Sequence, residues 1–413
     1  MSTANKSRPK SVLVIGCFDT KGDDFGYLYS SLKEKEVKII TLNTGIFESP
    51  TRFTIDYDSG QVAEAAEVDI SQLRKSANRG KALEIMGEGA AKIVADLCSV
   101  NKVQGIIGMG GGGGTYMAIR AMQAVPFGVP KLCLSTVATK DLSEAIGGKD
   151  IVLMPSVVDV NGLNSISRIL IRQAAGAICG MMEASVSELN ENSGTIAISV
   201  FGNTNLCADR CIELLKAKNY DVLSFHAVGT GGKTMESLIL DGVFDAVLDI
   251  TTTELADDLC GGICSAGPNR LQAAAKMGIP QVVVPGCLDM VNFGTPDSVP
   301  EKYRKRHFFS WGPDVTLMRT NAAENEILGK TLAEKLNRST GPVTVLLPLG
   351  GVSKISATGG DFYRSEIDAV LFHTIKENLK ESIQVIEVQA NINTVDFAEH
   401  AVKSLLELLK NKK

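Results

Sequence analysis

The stretch GIIGMGGGGGTYMAIRAM, Gly105–Met122, sets six glycines in the seven positions from Gly108 to Gly114, behind an apolar run and ahead of a helix-like one. Glycine loses more conformational entropy on folding than any other residue, so such a run is kept only where side chains would obstruct a close approach. An apolar strand, a bare turn and a helix in succession form the repeating unit of a parallel α/β sheet. A turn at that point lies outside the carboxyl end of a strand, where open sheets hold their ligands.

The same alternation runs in both directions. SVLVIG precedes DDFGYLYSSLKEKE, KIITLN precedes a polar excursion and GKALEIMGEGAAKIVADLC, and PKLCLST and DIVLMPS follow the glycine run. These strand-like runs are continuously apolar, which means that helices cover both faces of the sheet. The excursion from Phe47 to Gly80 is placed at a sheet edge. A long helical stretch then ends at NENSG, where Asn and Gly stop a helix, and the pattern restarts with TIAISVFGN, YDVLSFHAVG, FDAVLDIT, IPQVVVPG and PVTVLLPLGG. The expectation is an α/β protein of two Rossmann-like doubly wound domains with mainly parallel sheets and a cleft between them. Their bounds are 1–190, with a Gly-rich loop at 108–115, and 191–413, with a second at 229–234.

Composition agrees with that size. The 413 residues are 44% apolar and 22% charged, enough for two cores. A net charge of -5 argues against binding nucleic acid or an anionic membrane, which are met first by excess Lys and Arg. Nine cysteines, odd in number and set in apolar patterns, read as reduced thiols in a cytoplasmic protein. Cys207 with Cys211 and Cys260 with Cys264 stand four apart, but no His lies near enough to make a zinc module, so they are read as packing. The N-terminus lacks the apolar run of a signal peptide, and no run approaches a membrane span.

Successive backbone N–H groups at a helix start make a phosphate cradle, to which Thr115 adds a hydroxyl; a tight turn or a close helix contact is the plainer alternative. Gly108, Gly110 and Gly113 satisfy G-x-G-x-x-G, but the next strand ends in Ser135, Thr136 and Thr139 where a dinucleotide site wants an acid, so a mononucleotide is favoured over NAD. HAVGTGGKTME in the second half has Ala227 where a P-loop needs its first Gly, yet Gly229, Gly231, Gly232, Lys233 and Thr234 can hold an anion. Arg270 can grip a carboxylate or phosphate. Other strand ends carry Asp19, Thr20 and Lys21, Asn203 and Asn205, Thr251 to Glu254, Asp289 and Asn292, and Ser353, Asp361 and Ser365. Carboxylates beside hydroxyls there permit Mg²⁺, although any one of them by itself reads more readily as a helix cap. No elbow serine or HExxH motif is present, and the basic run KYRKRHFF, Lys302–Phe309, reads as a solvated or interface loop.

IIGMGGGGGT, MQAVPFGVPKLCLSTVA and DIVLMPSVVDVNGLNSISRIL, together with VLVIGCFDTKGDDFGYL, FHAVGTGGKTMESLI, PGCLDMVNFG and PLGGVSKISATGGDFY, resemble the Tm-1-like ATP-binding family, also called UPF0261, along essentially the whole chain. The resemblance implies two Rossmann-like domains, homodimeric association and ATP as the ligand, with Mg²⁺ as a candidate companion. Carried across, Gly110, Gly111, Gly112, Gly113, Gly114 and Thr115 hold phosphates beside Asp19, Thr20, Lys21, Ser135, Thr136 and Thr139. The second-domain candidates are Gly229, Gly231, Gly232, Lys233, Thr234, Arg270 and Asp289. The expected function is ATP binding by a metabolic enzyme that acts on a small anionic metabolite in the inter-domain cleft. The alternatives are a non-catalytic, ATP-dependent regulatory module and an enzyme acting on a phosphorylated or carboxylated metabolite without nucleotide.

Overall fold

The computed structural model describes residues 10–49, 51–76, 78–184 and 192–411. The chain divides into two compact units, Met1–Glu188 and Leu189–Lys413; the boundary expected at 190/191 lies outside the described residues.

In the first unit the chain runs β1 (Ser11–Gly16), α1 (Phe18–Lys33), β2 (Lys38–Asn43), α2 (Ser59–Ala65), α3 (Ile70–Ser76), α4 (Arg79–Ser99), β3 (Gly105–Gly110), α5 (Gly112–Met122), β4 (Lys131–Ser135), α6 (Ser143–Ile146), β5 (Ile151–Pro155) and α7 (Ser165–Glu183). All five strands are parallel, in the order β2-β1-β3-β4-β5. The reason is visible in β1. Leu13 and Ile15 pack with Met86, Val94 and Met117 of α4 and α5, while Val12 and Val14 pack on the other face with Phe25, Leu28 and Ile171 of α1 and α7. Alternate residues of a strand point to opposite faces, so two apolar faces give a continuous apolar run. The excursion after β2 lies along that edge strand, with Tyr57 bridging Leu42 and Asp56 Oδ2 accepting from the Thr41 N–H at 2.9 Å, and it also carries α2 and α3.

The second unit continues with β6 (Thr195–Val200), α8 (Asn205–Lys216), β7 (Asp221–His226), α9 (Thr230–Leu240), β8 (Ala246–Thr251), α10 (Glu254–Cys260), α11 (Ala273–Met277), β9 (Gln281–Gly286), β10 (Met290–Phe293), β11 (Phe308–Gly312), β12 (Val315–Arg319), α12 (Ala322–Leu336), β13 (Val343–Pro348), α13 (Ser365–Asn378), β14 (Gln384–Val388) and α14 (Val395–Asn411). Its parallel sheet has the order β14-β13-β9-β8-β6-β7. Val282 and Val284 face α8 and α14, and Val283 faces α12 and α13. An antiparallel sheet, β10-β12-β11, was not expected. Its strand β11 begins at Phe308, so the end of the basic run read as a loop is strand, paired with Met318 and Leu317.

The glycine run is not a loop. Gly108 and Gly110 end β3, Gly111 alone makes the turn, and Gly112 to Gly114 form the first turn of α5. None of these glycines has a positive φ, so left-handed backbone is not what demands them; close approach is. A Cβ on Gly108 would lie 2.6 Å from the Ala118 Cβ, and one on Gly110 would lie 3.0 Å from the Gly114 Cα, whereas Gly112 faces nothing within 4 Å. Two jobs are therefore divided along one run: Gly108 and Gly110 let the helix lie on the strand, and Gly112 leaves space open. Gly108→Ala should destabilise the protein by about 1–3 kcal/mol through overpacking. Gly112→Ala should leave stability unchanged or raise it by up to ~1 kcal/mol. Denaturant unfolding of the two variants checks the contrast.

Candidate functional site

In a doubly wound sheet the strand order reverses at one point, and the helices on either side of it leave a crevice outside the strand ends. In the first unit that point lies between β1 and β3, and a pocket of about 540 Å³ opens there. The segment after β1 brings Cys17, Asp19, Thr20 and Lys21, the segment after β2 brings Thr44 to Phe47, and β3 and α5 bring Met109 to Gly114 and Met117. The excursion supplies Leu73, Arg74, Asn78 and Arg79, and α4 beyond it Ala82, Leu83 and Met86, for the remaining wall.

Cations line the pocket, among them Lys21, Arg74 and Arg79. Asn78 caps α4, its side chain accepting from the Lys81 N–H at 3.0 Å, and thereby sets Arg79 at the helix start. The Arg79 Nη2 lies 3.6 Å from where a Gly113 Cβ would stand, so the guanidinium faces the first turn of α5. Lys21 sits at a kink in α1, with non-helical φ and ψ. Among the described residues neither Lys21 nor Arg79 has an ion pair or a side-chain hydrogen bond. Arg74 donates to the Ile46 carbonyl. The N–H groups of the first turn of α5 add the positive end of a helix dipole. The rest of the wall, with Leu73, Leu83, Met86 and Met117, is apolar.

The acidic and thiol groups are held out of chemistry. Asp19, which lines the pocket, accepts through Oδ2 from the Ile46 and Phe47 N–H groups at 3.0 and 3.1 Å, so its carboxylate ties the β2 segment down. Burial pushes the Cys17 thiol up to about 11, opposed by its contact with Thr44 Oγ1 at 3.7 Å, and at neutral pH it is protonated and a poor nucleophile.

The structure thus brings Gly110 to Gly114, Asp19, Thr20 and Lys21 to one pocket, and leaves Thr115, Ser135, Thr136 and Thr139 off its wall. Thr115 is buried, its hydroxyl 2.6 Å from Ser135 Oγ and 3.3 Å from the Gly110 carbonyl. Ser135 Oγ also accepts from the Val137 N–H at 3.0 Å, so both hydroxyls serve the β3–β4 packing. The Thr136 N–H donates to the Gly110 carbonyl at 3.2 Å, and Thr139 is exposed. Sequence reasoning missed Arg74, Asn78 and Arg79 because their segment reads as polar and unstructured. The signal was an Asn N-cap followed directly by Arg and a helical run.

The second unit answers differently. At its switch point, between β6 and β8, Thr204 Oγ1 and Thr251 Oγ1 lie 2.7 Å apart and Thr251 to Glu254 are fully buried. The second Gly-rich segment is already occupied by the chain itself: Glu254 Oε1 accepts from the Gly229 and Gly232 N–H groups at 2.8 and 3.1 Å. A Gly232 Cβ would strike that carboxylate at 2.2 Å. Arg270 does grip carboxylates, but those of its own chain. It is buried and pairs in a fork with Asp249 at 2.6 and 2.7 Å, with Glu254 Oε2 at 2.5 Å and with Glu236 Oε1 at 3.3 Å. Thr234 Oγ1 donates to the Thr230 carbonyl at 2.9 Å, and Lys233 is exposed. Asp289 is buried and takes the Ser353 hydroxyl at 2.7 Å. Cys207 with Cys211 and Cys260 with Cys264 are buried free thiols, and among the described residues no group of His, Cys, Asp and Glu is placed to hold a metal. Likewise no helix among them is long and apolar enough to cross a membrane.

Two family models match the chain, both described as an uncharacterised protein family (UPF0261): its N-terminal domain over residues 10–187 and its C-terminal domain over 193–409. A UPF0261 protein of Clostridium tetani is 40% identical over 97% of this chain and 99% of its own length, and one of Mesorhizobium japonicum is 36% identical over 97% and 100%. The tomato ToMV resistance protein Tm-1(GCR237) is 34% identical over 99% of this chain, which spans 57% of that protein. The tomato susceptible form matches at the same 34%, so the likeness does not distinguish resistance from susceptibility.

Removing Arg270 while its acids remain leaves buried carboxylates uncompensated, so Arg270→Met should cost roughly 3–5 kcal/mol in denaturant unfolding. Burial raises Asp257 to about 7, against the Asn292 and Cys264 donors that bond it. Because the folded state then holds this proton more tightly than the unfolded chain, stability falls as pH rises from about 4 to 7 and levels off above, by at most about 4 kcal/mol from this group. Unfolding midpoints at pH 5 and 8 should show the fall, and Asp257→Asn should reduce it.

Proposed function

The chain belongs to the UPF0261 family, and on that premise we propose that it is a nucleotide-binding protein whose first unit takes ATP into the switch-point pocket. The observation that carries the reading is that two cations without a partner among the described residues, Lys21 and Arg79, line a single cavity together with the bare first turn of α5. A phosphate chain satisfies both at once, because a helix N-terminus offers N–H donors and the cations supply charge. The apolar wall of Leu73, Leu83, Met86 and Met117 suits a purine face, and about 540 Å³ falls within the usual range for a small-molecule site. The substrate of a metabolic enzyme built on this unit is a small anionic metabolite, by the same charge argument.

A second reading, in which bound ATP acts as a signal and is not consumed, is favoured by one feature of the wall. Its thiol is held protonated and one oxygen of its carboxylate is engaged by backbone N–H groups, which among the described residues leaves the Cys17 thiol a poor nucleophile and the Asp19 carboxylate a structural tether. Turnover of ATP with a panel of sugar acids would support the enzyme; binding without turnover would support the signal.

Gly112→Glu places a charged side chain in open space on the pocket wall. Calorimetric titration with ATP should give binding to the native chain and at least a roughly 100-fold loss in the variant, with circular dichroism unchanged. Absence of binding to the native chain, or equal binding to both, would overturn the reading.

A further inference from the structure

How a site neutralises phosphate can be read from its donors. A magnesium ion is held by oxygen, from one or two carboxylates together with the substrate's phosphates and water. Among the described residues Asp19 is the one acidic residue lining the first-unit pocket. Its Oδ2 is engaged by the Ile46 and Phe47 N–H groups. Its Oδ1 has no partner and no contact with solvent, being sealed against the Gly45 backbone so closely that a Cβ there would come within 2.4 Å. Against this single, engaged carboxylate stand Lys21, Arg74 and Arg79. Arg74 is tied to the Ile46 carbonyl but keeps its charge, and Lys21 and Arg79 have no counter-ion among the described residues.

Uncompensated cations beside a helix N-terminus repel a divalent metal and attract the fully charged anion. A guanidinium is never deprotonated and presents a fork of donors that matches phosphate oxygens. Resting on the nucleotide reading above, we propose that the pocket takes its ligand as the metal-free nucleotide, with Lys21, Arg79 and the first turn of α5 in the place that Mg²⁺ fills elsewhere. Asp19 then acts as a tether of the β2 segment and not as a metal ligand. The same rule extends to other phosphorylated ligands offered to the site, whose affinity follows the charge they carry free of metal.

Titration calorimetry of the native chain with ATP in EDTA, and again in excess MgCl₂, tests this. The expected result is binding in EDTA that weakens several-fold in MgCl₂, since the magnesium complex presents less negative charge. Lys21→Ala and Arg79→Ala should each weaken binding in EDTA by roughly 10- to 100-fold, the range of one charge-assisted hydrogen bond. Asp19→Asn keeps an oxygen for the two N–H groups and removes a negative charge, so it should tighten binding; a metal ligand would show the reverse. Binding that requires Mg²⁺ and is lost in Asp19→Asn overturns the metal-free site and leaves the nucleotide reading standing. No binding under either condition overturns both.

Discussion

Burial of both faces of two parallel sheets is the constraint on which the rest depends. Once Val12 and Val14 are committed to one layer of helices and Leu13 and Ile15 to the other, neither face of the sheet can offer a ligand anything. Polar chemistry is confined to the strand ends, and within those to the point where the order of strands reverses. The ends of β1 and β3, and those of β6 and β8, are therefore comparable positions in two units of like topology.

What the chain does with those two positions differs. In the first unit the helix after the switch strand begins with glycines, and the crevice stays open with its cations unpaired. In the second the corresponding helix begins with Glu254, preceded by three buried threonines, and Glu254 itself fills the N–H groups of the β7–α9 turn. Arg270 completes the closure by drawing Asp249, Glu236 and Glu254 together. A buried guanidinium surrounded by carboxylates and backbone donors is a folding device, costly to break but with no hydrogen-bonding capacity left for a ligand. The first unit keeps uncompensated charge at its surface, and the second consumes it internally. This contrast, more than the shared glycines, is what the proposal of a ligand site in the first unit rests on.

Much of the architecture was legible in the sequence because it rests on periodicity. Continuous apolar runs such as VLVI and VTVLLP announce buried parallel strands, and Gly105–Met122 reads as strand, turn and helix. Less legible were features that depend on pairing across long separations. The antiparallel β10–β12 sheet is short and split by loops, so no local pattern distinguishes Phe308–Gly312 from a basic loop. Arg79 was hidden because its importance comes from facing Gly113, thirty-four positions away, and its immediate neighbours, RKSANRGK, are mostly polar.

The sequence by itself determined the plan of two parallel sheets and the presence of two glycine-rich strand-to-helix turns, because both follow from local propensity; that Gly108 and Gly110 serve the close contact of α5 with β3 came from the structure. Which turn is available to a ligand was decided only by the tertiary structure. Glu254 stands twenty-two residues from the Gly232 N–H that it caps, and Asp19 twenty-seven from the Ile46 N–H that it holds. A hydrogen-bond acceptor brought in from another strand end leaves no trace in the sequence of the turn it fills. Only folding shows whether such a turn meets its own carboxylate or is left with its donors free.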